Sequence, residues 1–136
     1  ASGAISTAMG YGTEASGSYS TAGGTWTYAS GHSSTALGYS TTARGQYSTA
    51  MGSFTDASGS SSTAMGKYSE ASNDDSFVIG LDSSSSDTCV SSADAEFRVC
   101  SSDVVIEAGD GRVISLIDLA EAVCDLDPDN TFCLPD

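Results

Sequence analysis

The first half of the chain repeats with a period of fourteen residues, and this periodicity restricts the fold more than any other feature of the sequence. Five copies open with Ser-Thr-Ala, and a degraded sixth copy follows without an insertion. The copies begin at Ser6, Ser20, Ser34, Ser48, Ser62 and Ser76. Only 39% of the residues are hydrophobic and 8% aromatic, which is too few for the core of an ordinary domain of 136 residues. A strict repeat of small residues indicates stacked coils rather than a disordered tract.

Two glycines mark the corners of each copy. Position five is glycine in every copy, and position twelve is glycine in four of the first five copies. These glycines divide each copy into two segments of strand length. Each copy is therefore predicted to form one coil with two short strands and two tight corners. The stack of coils is predicted to be an all-β fold, a parallel β-roll or β-solenoid.

Alternation along a strand separates the side chains into an inward and an outward set. Positions one, three, eight and ten are expected to point into the roll, and they carry serine, alanine, threonine or serine, and alanine. The alanines of positions three and ten are Ala8, Ala15, Ala22, Ala29, Ala36, Ala43, Ala50, Ala57, Ala64 and Ala71. The predicted interior is thin and admits only small side chains.

The outward set of the first strand contains an apolar column. Position four reads Met9, Gly23, Leu37, Met51, Met65 and Ile79, and the neighbouring position two reads Thr7, Thr21, Thr35, Thr49 and Thr63. Exposed apolar stripes usually mark association surfaces, so we expect this face to be buried against identical copies. The alternative is a monomeric solenoid with the methionines turned inward. The second strand, with Trp26, Phe54 and Tyr68 at position seven, is expected to face outward.

The motif Ser-Thr-Ala-Met-Gly, with Ala-Ser-Gly seven residues further on, resembles the head repeats of YadA-like trimeric autotransporter adhesins. The resemblance covers roughly residues 1–80. It implies a left-handed parallel β-roll, three of which pack about an axis through their first strands to form a homotrimer. It also implies an extracellular or cell-surface adhesin that binds matrix proteins or other cells.

The chain changes character after the repeats, which predicts head repeats in residues 1–80 and an acidic, cysteine-bearing cap or neck in residues 81–136. Through Asp75 there are five acidic and two basic residues, and thirteen acidic and two basic residues follow. The net charge of −14 opposes binding to nucleic acid or to anionic lipid. The sequence also contains no stretch of 18 apolar residues that would insert into a membrane.

The second segment is predicted to form a cap. Residues 97–100 and 104–107 have the pattern of short strands, Ala108-Gly109-Asp110-Gly111 is a turn signal, and residues 112–116 can pair back as a hairpin. Such a β-hairpin would close the open end of the roll. From Ile117 the pattern favours a short C-terminal helix, which would either begin a coiled coil in a trimer or pack on the hairpin.

The four cysteines, Cys89, Cys100, Cys124 and Cys133, have spacings that match no zinc site. Disulfides and an oxidising location are the better interpretation. Four cysteines allow three disulfide pairings within one chain. Pairing of nearest neighbours, Cys89 with Cys100 and Cys124 with Cys133, closes the shortest loops. Disulfides between chains are the other possibility and would fit a fibre.

A run of alternate carboxylates near the C-terminus resembles the spacing of a calcium loop. Asp125, Asp127 and Asp129, with Asp136 further on, are the candidate ligands. Asn130 stands where such a loop has glycine, and Pro128 is unusual there. A solvated acidic turn is the alternative interpretation, and the sequence predicts no cofactor other than this calcium ion.

No catalytic arrangement is evident. The one histidine, His32, lies at a variable corner, no Gly-x-Ser-x-Gly motif occurs, and the roll is too thin for a pocket. The sequence therefore predicts a non-enzymatic adhesin-like head or fibre segment that presents a binding surface. An architectural filament subunit is the alternative. Ice binding by threonine columns is a weaker hypothesis, because position eight is expected to face inward.

Overall fold

The computed structural model describes residues 1–81, 85–102, 105–107 and 113–115. Two parallel sheets face each other along the roll. The first sheet contains β1 (Thr7–Tyr11), β3 (Thr21–Thr25), β5 (Thr35–Tyr39), β7 (Thr49–Ser53), β9 (Thr63–Lys67), β11 (Phe77–Gly80) and β13 (Phe97–Cys100), in that order. The second contains β2 (Glu14–Ala15), β4 (Tyr28–Ala29), β6 (Thr42–Ala43), β8 (Asp56–Ala57), β10 (Ser69–Ala71) and β12 (Cys89–Val90).

Each strand pairs with the equivalent strand of the next coil. Ala22 lies opposite Ala36, and Ala29 lies opposite Ala43, so the register is one repeat of fourteen residues. This arrangement confirms the predicted parallel β-solenoid. It also places every residue of a repeat position in one column along the roll.

The interior is a stack of alanines flanked by hydroxyl side chains. The alanines of positions three and ten are completely buried from Ala15 to Ala71, and Ala8 is partly buried against them. The serines of position one are also buried from Ser20 to Ser76, and each hydroxyl is satisfied locally; Ser34 Oγ, for example, donates to the carbonyl oxygen of Gly31 at 2.7 Å. The two sheets are therefore close enough to exclude larger side chains along most of the roll.

The corners bring successive backbones into close contact. A Cβ atom on Gly45 would lie 1.8 Å from the carbonyl oxygen of Gly59, a distance that no side chain tolerates. The glycine at position twelve is therefore required by the approach of the neighbouring coil. This explains why the repeat has glycine at that position in four consecutive copies.

The roll continues beyond residue 80, where the sequence predicted its end. Twenty residues separate Phe77 from its partner Phe97, against fourteen between Thr63 and Phe77, so the last coil contains an insertion of six residues. The chain then resumes the register, because Cys89 pairs with Ser69 at position eight. The first compact unit accordingly spans Ala1–Cys100, and the second spans Ser101–Asp136.

The second unit contains the predicted hairpin. Strand β14 (Val105–Glu107) pairs antiparallel with β15 (Val113–Ser115), and Ile106 lies opposite Ile114. The pairing agrees with the strand, turn and strand pattern of the sequence. The helix predicted from Ile117 lies outside the described residues.

Candidate association surface and the two aromatic corners

The apolar column of position four lies on the outer face of the first sheet. Met9 is 62% exposed and Met51 is 37% exposed. Leu37, Met65 and Ile79 are half-buried by their neighbours in the column. The threonines of position two lie on the same face; Thr7 is exposed and Thr21, Thr35, Thr49 and Thr63 are half-buried. The alternative arrangement, with the methionines turned inward, is not the one the chain adopts.

The glycine in this column does not open a gap in it. A Cβ atom on Gly23 would lie 2.9 Å from Cδ2 of Leu37, so the leucine side chain leans across the glycine of the preceding coil. The column therefore remains continuous along the sheet. We call this column, together with the neighbouring threonines, the first-sheet surface.

A row of aromatic rings follows the corner between the first and the second strand. Each of five coils contributes one ring, from position six or position seven. We call this row the corner ladder, and its members are Tyr11, Trp26, Tyr39, Phe54 and Tyr68. Tyr11 contacts Trp26 edge to face with 5.3 Å between ring centroids, and Phe54 stacks on Tyr68 at 4.9 Å. Four of the five rings remain 41–69% exposed.

The position-six members of this ladder were not singled out from the sequence. Position six reads Tyr, Thr, Tyr, Ser and Lys, which shows no column of its own. The signal becomes visible only when positions six and seven are combined, because the aromatic residue is at position six in two coils and at position seven in three. Tyr39 and Phe54, from adjacent coils, then come within 5.3 Å of each other.

The opposite corner carries a smaller aromatic group around the histidine. The ring of His32 lies edge to face between Tyr19 and Tyr47, with centroid distances of 5.5 and 5.8 Å. The hydroxyl of Ser33 lies 3.0 Å from Nδ1 of His32. The arrangement packs His32 as the middle ring of a row of three on an exposed corner of the roll.

The last coil is fastened by a disulfide and by a charged group. Cys89 forms a disulfide with Cys100, which confirms the nearest-neighbour pairing for these two cysteines and joins the second sheet to the first. Glu96 accepts hydrogen bonds from the backbone N–H groups of Ser92 and Ala93 at 2.6 and 3.1 Å. Arg98 donates to the other oxygen of Glu96 at 2.8 Å.

These contacts hold the pKa of Glu96 far below its ordinary value. The N–H group of Ser92 contributes most, and the guanidinium of Arg98 and the N–H group of Ala93 add to it, so the pKa falls from 4.5 to about 2. The carboxylate is therefore ionised over the whole neutral and mildly acidic range. No repeat pattern points to this group, because glutamate replaces the serine of position one only in this coil.

The remaining predicted sites lie outside the described residues. These are Cys124 and Cys133, and the candidate calcium ligands Asp125, Asp127, Asp129 and Asp136. Among the described residues, no group of three or more His, Cys, Asp or Glu side chains is arranged to hold a metal ion. The same part of the chain contains no helix of the length and hydropathy needed to cross a membrane.

The coils match a known family. The family model described as YadA head domain repeat (2 copies) matches the chain in three places, at residues 1–25, 29–55 and 57–83. Together these residues make up more than half of the chain. The match agrees with the resemblance of the Ser-Thr-Ala-Met-Gly motif. No curated protein matches the chain.

Proposed function

Because the chain belongs to the family of YadA head domain repeats, we propose that it forms a homotrimer outside the cell or at the cell surface and acts as an adhesin-like head or fibre segment. The family is one of adhesin and structural modules rather than of enzymes. In this proposal the first-sheet surface is the contact between the three chains. The remaining faces of the roll then present a binding surface to matrix or cell-surface ligands or to further fibre subunits.

The apolar column is the observation that carries the proposal. An exposed methionine and leucine stripe on an otherwise hydroxyl-rich face is unfavourable in water and favours association. The seven strands of this face are paired in register, so the apolar side chains of position four form one continuous column. A roll whose interior is alanine also gains little from its own core, and association supplies the missing apolar burial.

The contacts of Glu96 in the last described coil favour a head over a filament in which rolls stack end to end. In regular coils the N–H groups of positions eleven and twelve donate to an alanine carbonyl of the next coil, as Ser58 and Gly59 do to Ala71. In the last coil Glu96 accepts the equivalent N–H groups. A further coil would have to displace this carboxylate, so end-to-end stacking on this corner is disfavoured.

The proposal is tested by adding one charge to the first-sheet surface and, separately, to a corner of the roll. Met51→Asp places a carboxylate in the apolar column and is expected to reduce the assembly to monomers at micromolar concentration, as measured by light scattering. Gln46→Asp is the matched control, because Gln46 is exposed at a corner outside the first sheet and Asp74 stands at the same repeat position in another coil. An assembly that survives Met51→Asp, or that is lost equally in Gln46→Asp, would contradict the assigned contact.

A further inference from the structure

We propose that the corner ladder binds an extended, uncharged polysaccharide. The inference rests on the proposed function only in that the chain presents a binding surface, and it does not require three chains. The row of five rings advances one coil at a time, and at about 4.8 Å between paired strands it is about 19 Å long. A linear row of this length suits a linear ligand with a short repeat better than a single small molecule.

The chemistry of the ladder matches the two kinds of surface on a sugar ring. A pyranose has C–H groups, which pack on exposed aromatic rings, and a rim of hydroxyls, which form hydrogen bonds. In three coils, one of the two positions carries the aromatic ring and the other carries a hydroxyl. These hydroxyls belong to Thr25, Ser40 and Ser53. The hydroxyls of Tyr11 and Tyr39 have no hydrogen-bond partner in the part of the chain that the structure describes.

The rings are held in place before any ligand arrives. Trp26 packs over Gly12, where an added Cβ atom would lie 2.7 Å from the indole ring. Phe54 is braced by Tyr39 on one side and by Tyr68 on the other. Aromatic side chains that are already ordered lose little freedom on binding, which favours affinity for a weakly interacting polymer.

The charge of the surface selects an uncharged ligand. In the five coils of the ladder, positions six and seven contain no acidic residue, and their one charged side chain is Lys67, whose Nζ lies 5.3 Å from the centre of the Tyr68 ring. The part of the chain that carries the ladder is mildly acidic, with five acidic and two basic residues through Asp75, and so does not favour an anionic polysaccharide such as heparin. A proline-rich peptide is the other ligand that aromatic rings hold, but such peptides dock in grooves, whereas these rings lie on an outer corner of the roll.

The single tryptophan of the chain, Trp26, belongs to the ladder, so its fluorescence reports on this surface directly. The probe is hydroxyethylcellulose, a soluble uncharged glucan. Heparin and oligoproline are titrated in parallel as the anionic and the proline-rich alternatives. We expect a saturable change in Trp26 fluorescence with the glucan alone. A response to heparin or oligoproline and not to the glucan, or no response to any of the three, would overturn the inference.

The matched variants use residues that the repeat already contains at the same positions. Tyr39→Ser with Phe54→Ser removes two ladder rings, since Ser53 and Ser40 occupy positions six and seven in other coils. This variant is expected to bind the glucan about tenfold or more weakly. Tyr19→Ser with Tyr47→Ser removes two rings that are even more exposed from the opposite corner, where Ser33 and Ser61 are the natural equivalents, and is expected to bind as the unmodified chain does.

Equal losses in the two double variants would overturn the assignment to the ladder. Light scattering on the same samples measures the oligomeric state, so glucan binding and the homotrimer are tested independently. A monomer that binds the glucan through the ladder would contradict the homotrimer alone, and a trimer that does not bind it would contradict the ladder alone.

Discussion

The carboxylate of Glu96 accepts a hydrogen bond from the backbone N–H group of Ser92, with 2.6 Å between oxygen and nitrogen. In the regular coils the N–H group at this position donates to the next coil, as that of Arg44 does to the carbonyl oxygen of Ala57. The Glu96 side chain thus takes the place that the backbone of the next coil has in the regular coils. The terminal coil is thereby protected at the corner where it would otherwise leave unpaired donors.

This contact predicts a specific dependence of stability on pH. The folded state lowers the pKa of Glu96 from 4.5 to about 2, so its stabilising contribution is complete above pH 4.5 and is lost as the pH falls toward 2. Glu96→Gln is expected to lower the thermal midpoint at neutral pH, and the difference from the unmodified chain should shrink between pH 4.5 and 2.

Glu14→Gln is the control for this experiment, because Glu14 is exposed and its side chain has no partner among the described residues. Thermal unfolding followed by circular dichroism over this pH range measures both differences. A difference for Glu96→Gln that stays constant with pH, or one that Glu14→Gln reproduces, would contradict the role of the carboxylate.

The close approach of the coils predicts that two glycines respond differently to the same substitution. Gly45→Ala forces a Cβ atom against the backbone of Gly59 and should lower the free energy of unfolding by about 3 kcal/mol or more. The added methyl of Gly23→Ala meets only the flexible end of Leu37, so this variant should change the free energy of unfolding by no more than about 0.5 kcal/mol. Chemical denaturation compares the two, and similar values for both variants would contradict the packing at the corner.

The interior hydroxyls predict a substitution that stabilises the roll. The Oγ1 atoms of Thr27, Thr41 and Thr55 are buried without a hydrogen-bond partner, which is unfavourable relative to an apolar group of the same shape. Thr41→Val should therefore raise the free energy of unfolding by about 1 kcal/mol. Ser48→Ala should lower it by about 1 kcal/mol, because Ser48 Oγ donates to the carbonyl of Gly45. Equal destabilisation by both changes would show that the threonine hydroxyls are satisfied in solution.

The sequence predicted those parts of the fold that depend on strict repetition. The fourteen-residue period defines the register, and alternation around Ala22 and Ala29 identifies the interior. The outward position of Met51 follows from the same alternation. The turn after Glu107 likewise predicts the hairpin, because a glycine-rich turn and two flanking strands are local signals.

The strand at residues 97–100 was predicted, but its place in the roll was not, because the last coil differs from the repeat in both length and type. Six inserted residues precede Cys89, and Glu96 and Arg98 replace the serine and alanine of positions one and three. The pattern that identifies the other coils is therefore lost. The long-range pairings of Phe77 with Phe97 and of Ser69 with Cys89 reveal that the roll continues, and such pairing is not encoded in a local motif. The corner ladder was missed for a related reason, since its rings are divided between two repeat positions.

The native mass of the unmodified chain in solution tests the central claim most directly. Three chains of 13.7 kDa predict a particle of about 41 kDa by light scattering, unchanged on dilution through the micromolar range. A particle of 13.7 kDa over the same range would show that the apolar column of the first sheet remains exposed to water, and it would contradict the homotrimer.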